Sequence, residues 1–162
     1  SSSSKGAKLE ERLYSSLMLG KKPEDLEDVL KECVSFVEGT QYEASDEDFD
    51  VLFAITLFLY KLGPIEVANH PTAESCVKML EEFVPDSPSS RKRSSTVRDV
   101  TLFPYLYKLS PGIVNERSVQ GVARALLNLR YTASPKEALL IYRGLQMVNK
   151  YQDRPIGVQL VK

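Results

Sequence analysis

The sequence predicts an all-α fold: a compact bundle of six or seven amphipathic helices around one apolar central helix, open to division into two helical subdomains. Three observations carry this. Apolar residues recur at the i, i+3, i+4 and i+7 spacing of a helix through most of the chain. The run from Val51 to Tyr60 is apolar except for Thr56, which suits a helix enclosed by its neighbours. No alternating segment has a second such segment to pair with as a strand. The chain has 162 residues, enough to bury a core without a disulfide framework or a structural metal. Its 43% hydrophobic and 27% charged residues place it among globular chains and not disordered ones.

Residues 1–6 read as a flexible N-terminus; the serines and Lys5 are followed by no apolar stretch of the kind a signal peptide needs. Residues 7–85 form an acidic helical half. Its first helix is expected over Ala7 to Leu19, with Leu9, Leu13 and Leu17 on one face and Gly20 as the stop. Pro23 stands at an expected first helical position, followed by Glu24, Asp25, Glu27 and Asp28, where the helix dipole favours acids. Leu26, Val29, Leu30, Cys33, Val34 and Val37 then line one face, and Gly39 ends the second helix.

Ser45 and Asp48 have the spacing of a capping box, opening a third helix over Asp46 to Leu62 that stops at Gly63-Pro64. This is the predicted core helix. Its apolar run covers only ~15 Å, half the thickness of a bilayer core, so it predicts burial in protein and not a membrane span. Pro71 opens a fourth helix with Ala73, Cys76, Val77, Leu80, Phe83 and Val84 on its apolar face.

Residues 86–96, DSPSSRKRSST, hold no large apolar side chain and predict an exposed linker. Within it Arg91-Lys92-Arg93 precedes Ser94, Ser95 and Thr96, which makes these hydroxyls candidate phosphorylation sites and the basic run a candidate nuclear-import patch. Residues 97–150 form a basic helical half. Val97 to Leu109 reads as a helix or a helix broken at Pro104, in preference to a strand. After Ser110-Pro111-Gly112, one helix carries Val114, Ser118, Val122, Leu126 and Leu129 on a face. Ser134-Pro135-Lys136-Glu137 then caps another, with Ala138, Ile141, Tyr142, Leu145 and Val148 as its apolar residues. Residues 151–162 read as an extended tail.

The chemistry-bearing residues point away from an enzyme, a metal site or a bound cofactor. His70 is the only histidine, and its place before Pro71 suits a loop or cap. No phosphate-binding glycine loop, nucleophile elbow or HExxH pair occurs. Asp46, Asp48 and Asp50 open like a calcium loop, but Val51 stands where that loop needs glycine and Leu57 where it needs glutamate. Cys33 and Cys76 lack CxxC spacing and read as small buried hydrophobes; a disulfide or reactive thiols are the alternative.

Charge is distributed unevenly. Residues 1–90 carry eight Lys/Arg and eighteen Asp/Glu, net −10, whereas residues 91–162 carry thirteen and four, net +9. Arg117 and Arg124 are two helical turns apart, as are Lys136, Arg143 and Lys150 on the next helix, with Arg130 at the connection. These six residues are the candidate partner-binding face. The expected function is a non-catalytic helical protein–protein interaction module, with self-association open to it. The alternative is a self-assembling structural protein of viral matrix or nucleocapsid type, holding RNA or an anionic membrane on that face. An intracellular setting is expected, cytoplasmic by default with the nucleus as the alternative.

Overall fold

The computed structural model describes residues 2–40, 45–83 and 97–110, together with positions 134, 135, 142 and 146. All regular structure among the described residues is helical: α1 (Ser2–Leu19), α2 (Leu26–Gly39), α3 (Asp46–Leu62), α4 (Pro64–Ala68), α5 (Pro71–Glu81) and α6 (Val97–Leu109). No helix among these residues is long and apolar enough to cross a membrane. The chain divides into two compact units, residues 1–80 and 81–162.

In the first unit, α1 and α3 pack side by side and run parallel. Gly6 and Ala7 lie beside Glu47 to Val51 at one end, and Leu17 and Gly20 lie beside Phe58 to Leu62 at the other. Helix α2 returns antiparallel to α1. A Cβ on Gly6 would meet the Phe36 ring edge at 3.1 Å and Val51 Cγ2 at 3.2 Å, so near the start of α1 a glycine lets the three helices approach. Arg12 bridges from α1 to Asp25 and, at 3.1 Å, to Glu32. Thr72 on α5 donates a hydrogen bond to Glu27 on α2.

Helix α3 has the bounds its sequence predicts. The Ser45 side chain accepts a hydrogen bond from the Asp48 amide at 3.1 Å, and Gly63 closes the far end with φ +87°. Leu52, Ala54, Ile55 and Leu59 have no exposed surface, and Phe58 is buried too. Thr56 is the one buried polar residue among the described residues; its hydroxyl donates to the Leu52 carbonyl at 2.8 Å, so the group is satisfied within the helix. Leu13 from α1, Leu30 and Cys33 from α2, and Cys76 and Leu80 from α5 complete the buried set.

Three local expectations need correction. Helix α1 begins at Ser2, before the expected Ala7, and its Gly6 is buried against α2 and α3. Helix α2 begins at Leu26 and not at Pro23: residues 24 and 25 form a turn, and Asp25 stands at the cap without a side-chain cap hydrogen bond. Pro64, expected only as a stop, also starts the short α4, since proline suits a first helical position.

In the second unit, Val97–Leu109 is a helix with Pro104 inside it. Leu102 and Leu106, one turn apart, are fully buried, and Tyr107 and Phe83 are nearly so. Ser110 donates a hydrogen bond to Glu81 at the end of α5. Pro135, Tyr142 and Gln146 are helical. Tyr142, expected on an apolar face, is 47% exposed.

Candidate functional site

The sequence-predicted partner face, Arg117, Arg124, Arg130, Lys136, Arg143 and Lys150, lies outside the described residues, as do Ser94, Ser95 and Thr96 and the 86–96 segment. The described helices bring together a seam between α1 and α3 with a cleft at each end, the two clefts of opposite charge.

The first cleft, of about 420 Å3, lies at the N-terminal ends of α1 and α3 and is lined by Gly6, Ala7, Glu10, Glu47, Asp48, Asp50 and Val51. Acids collect here for a local reason, because the start of α3 carries the partial positive charge of its dipole. Their crowding has an electrostatic cost. The Glu10 carboxyl is held above its ordinary pKa, first by desolvation and then by the Asp50 charge. The Tyr14 phenol is raised by desolvation, then by Glu10 and Asp50. No group of His, Cys, Asp or Glu among the described residues is arranged to hold a metal ion.

The second cleft, of about 300 Å3, lies at the C-terminal ends of the same helices and is lined by Ser16, Leu17, Gly20, Lys21, Lys22, Phe58, Lys61 and Leu62. Leu17, Phe58 and Leu62 supply apolar surface, Lys21, Lys22 and Lys61 supply charge, and no carboxylate among the described residues lines it. Helix endings place the lysines. Gly20, with φ +66°, ends α1 and its amide donates to the Ser16 carbonyl at 3.1 Å. The Ser16 hydroxyl donates to the Lys21 carbonyl at 2.7 Å, which fixes the turn carrying Lys21 and Lys22. Lys61 stands in the last turn of α3, where a cation complements the dipole.

Around this end of the unit stand three exposed apolar side chains: Met18 at 87%, Leu19 at 73% and Ile65 at 80%. Lys22 Nζ meets Glu66 Oε1 of α4 at 2.7 Å, and His70 Nε2 is 3.5 Å from the same oxygen. The hydrogen bond from Lys22 holds the Glu66 carboxyl below its ordinary pKa against desolvation, with the Lys22 charge and the His70 contact adding to the lowering. His70 itself precedes α5, and its carbonyl accepts from the Glu74 amide at 3.0 Å, the capping place its sequence position suggests.

The cysteines are buried free thiols. Burial pushes Cys33 up to about 12, with Glu32 adding to the shift, and pushes Cys76 up as well, with the neighbouring Cys33 adding to it. Thiols held this strongly protonated are not nucleophiles at neutral pH.

Sequence reasoning missed the Lys21–Lys22–Lys61 cleft because the three cations are dispersed through a half that is acidic in sum. The signal was there in Lys61, two residues before the stop at Gly63, and in the Lys21-Lys22 pair directly after the stop at Gly20. Comparison with models of known protein families, with curated proteins and with solved structures finds no match.

Proposed function

We propose that the chain is a non-catalytic helical protein–protein interaction module with oppositely charged halves. One observation carries this reading: the charge division follows the division into compact units. Residues 1–80 hold eight Lys/Arg and fifteen Asp/Glu, net −7, and residues 81–162 hold thirteen and seven, net +6. Opposite fields on two units of one chain favour orientated encounter with a charged partner and suppress wrong ones. The exposed Met18, Leu19 and Ile65 add the apolar surface that such an encounter needs in order to persist.

The same opposition supports a second reading, a self-assembling structural protein in which the acidic unit of one copy meets the basic unit of the next. Sedimentation velocity at low and high salt separates the two. A monomer at both salts favours a foreign partner, whereas large species at low salt that dissolve as salt screens the charges favour self-assembly. The Arg124→Glu/Arg143→Glu double variant tests the basic face in either case. It is expected to keep its stability within ~1 kcal/mol, because the helical spacing of the sequence sets both arginines away from the apolar residues, and to lose salt-sensitive association. Association unchanged in that variant, at every salt, removes the basic face from the reading.

A further inference from the structure

We infer that the lysine-rimmed cleft at the C-terminal ends of α1 and α3 is a docking site for an acidic peptide segment that inserts an apolar side chain. The inference rests on the interaction-module reading but uses a different surface, in the unit that is acidic overall.

The cleft combines the two features such a segment needs. Leu17, Phe58 and Leu62 give an apolar floor, and the volume of about 300 Å3 suits one or two large side chains and not an extended ligand. Lys21 and Lys61 supply charge to its lining, Lys22 being paired with Glu66, and no carboxylate is among the lining residues. A free apolar ligand would leave those charges unused, and a simple anion would leave the floor unused. An anchor flanked by Asp or Glu uses both.

Geometry favours a peptide over a bilayer for the same reason. A concave floor receives a single protruding side chain, whereas a membrane surface is met by protrusions alone. The site is also held in shape before binding. The Ser16 to Lys21 hydrogen bond fixes one wall, and the Lys22–Glu66 pair ties that wall to α4. Binding therefore has little ordering left to do.

Net charge of the unit does not prevent this. The acidic cleft is at the other end of α3, and a 17-residue helix is ~25 Å long, about three Debye lengths at physiological salt. Nearer acids are engaged: Glu66 with Lys22 and His70, and Asp25 with Arg12. Glu24 is the exposed acid closest in sequence to the lysine pair, and it sets a limit on how strong the local field is.

The test uses the full chain, labelled with nitrogen-15, and three synthetic peptides of equal length. The first alternates Asp and Glu with Leu and Phe, the second has Lys for every acid, and the third has Ser for every Leu and Phe. Amide shifts on adding the first peptide are expected to concentrate at residues 16–22 and 58–66, with both controls weaker. Lys21→Glu/Lys61→Glu is expected to weaken the first peptide at least about five-fold, as loss of exposed charge pairs does. Both lysines are exposed, so this variant keeps its fold, which circular dichroism checks. Leu62→Ser, which removes an apolar lining residue at a half-buried position, is expected to weaken it too.

No shifts at these residues, or equal binding of all three peptides, overturns the inference. So does binding of the first peptide that survives both the lysine variant and Leu62→Ser. Co-sedimentation with phosphatidylserine vesicles, lost in the same variants while the peptide fails to bind, assigns the surface to lipid and overturns it as well. Arg124→Glu/Arg143→Glu leaves the peptide shifts in place, so failure of the basic face and failure of this cleft are read separately.

Discussion

Ile55 shows how one residue's burial is set by its neighbours. It sits where α3 is apolar on every side, and it has no exposed surface. Ile55→Ala is expected to cost ~2–5 kcal/mol in urea denaturation, the loss that accompanies a cavity in a packed core; a cost below ~0.5 kcal/mol shows the site is not packed as described. The two cysteines give a pH dependence instead. A thiol whose pKa is raised on folding favours the protonated form, so its contribution is intact below the unfolded value of ~8.5. Above that the unfolded chain releases protons that the native state retains. Stability is therefore expected to fall as pH rises from ~9 towards the folded value of about 12 for Cys33. Cys33→Ala/Cys76→Ala lowers stability through lost packing but flattens that alkaline decline, a difference that urea titrations at stepped pH measure. Burial of both thiols was legible in the sequence, since Cys33 and Cys76 fall on apolar faces; their mutual proximity was not, because it arises from helices far apart in the chain.

At the scale of elements, legibility tracked punctuation. Helix α3 had a cap at Ser45, an apolar body and a Gly63 stop, and both its ends are where those signals put them. Ser45→Ala is expected to cost ~1 kcal/mol and Ser45→Asp almost nothing, since an aspartate side chain accepts the same hydrogen bond from Asp48. Thermal melts of the two variants make the comparison. Helix α4 was not legible: five residues carry too little periodicity, and Pro64 suits the end of α3 as well as the start of a new helix. The start of α1 was hidden for a different reason. Nothing local in the serines of residues 1–4 forecasts a helix; the contacts of Gly6 with Phe36 and Val51 are tertiary, and sequence periodicity does not report them.

For the whole molecule, apolar periodicity forecast the helical class of the described residues, while the charge count is a property of the sequence alone. The cleft did not emerge from either, because three lysines in a half of net negative charge become neighbours only when α1 and α3 lie parallel. The first unit carries its own buried set from four long helices, α1, α2, α3 and α5, within a span of 80 residues. Chains of that size support a core without metals or disulfides. A fragment of residues 1–80 is accordingly expected to unfold cooperatively in urea, with near-coincident circular dichroism and tyrosine fluorescence transitions. A gradual, non-cooperative loss of signal shows instead that the second unit is needed to complete it.

Pro104 within α6 has a consequence in time as well as in space. A proline has no amide hydrogen, so the ladder of α6 lacks one rung in the middle of the helix. Left alone, such a helix would open at the gap and exchange its neighbouring amides with solvent within the span of a local fluctuation. Leu102 and Leu106 straddle the gap and are both fully buried, so opening there exposes two leucines at once. Deuterium uptake across α6 is therefore expected to advance as one event on both sides of residue 104. The missing rung sets where the helix is weakest, and the two leucines set how seldom it lets go.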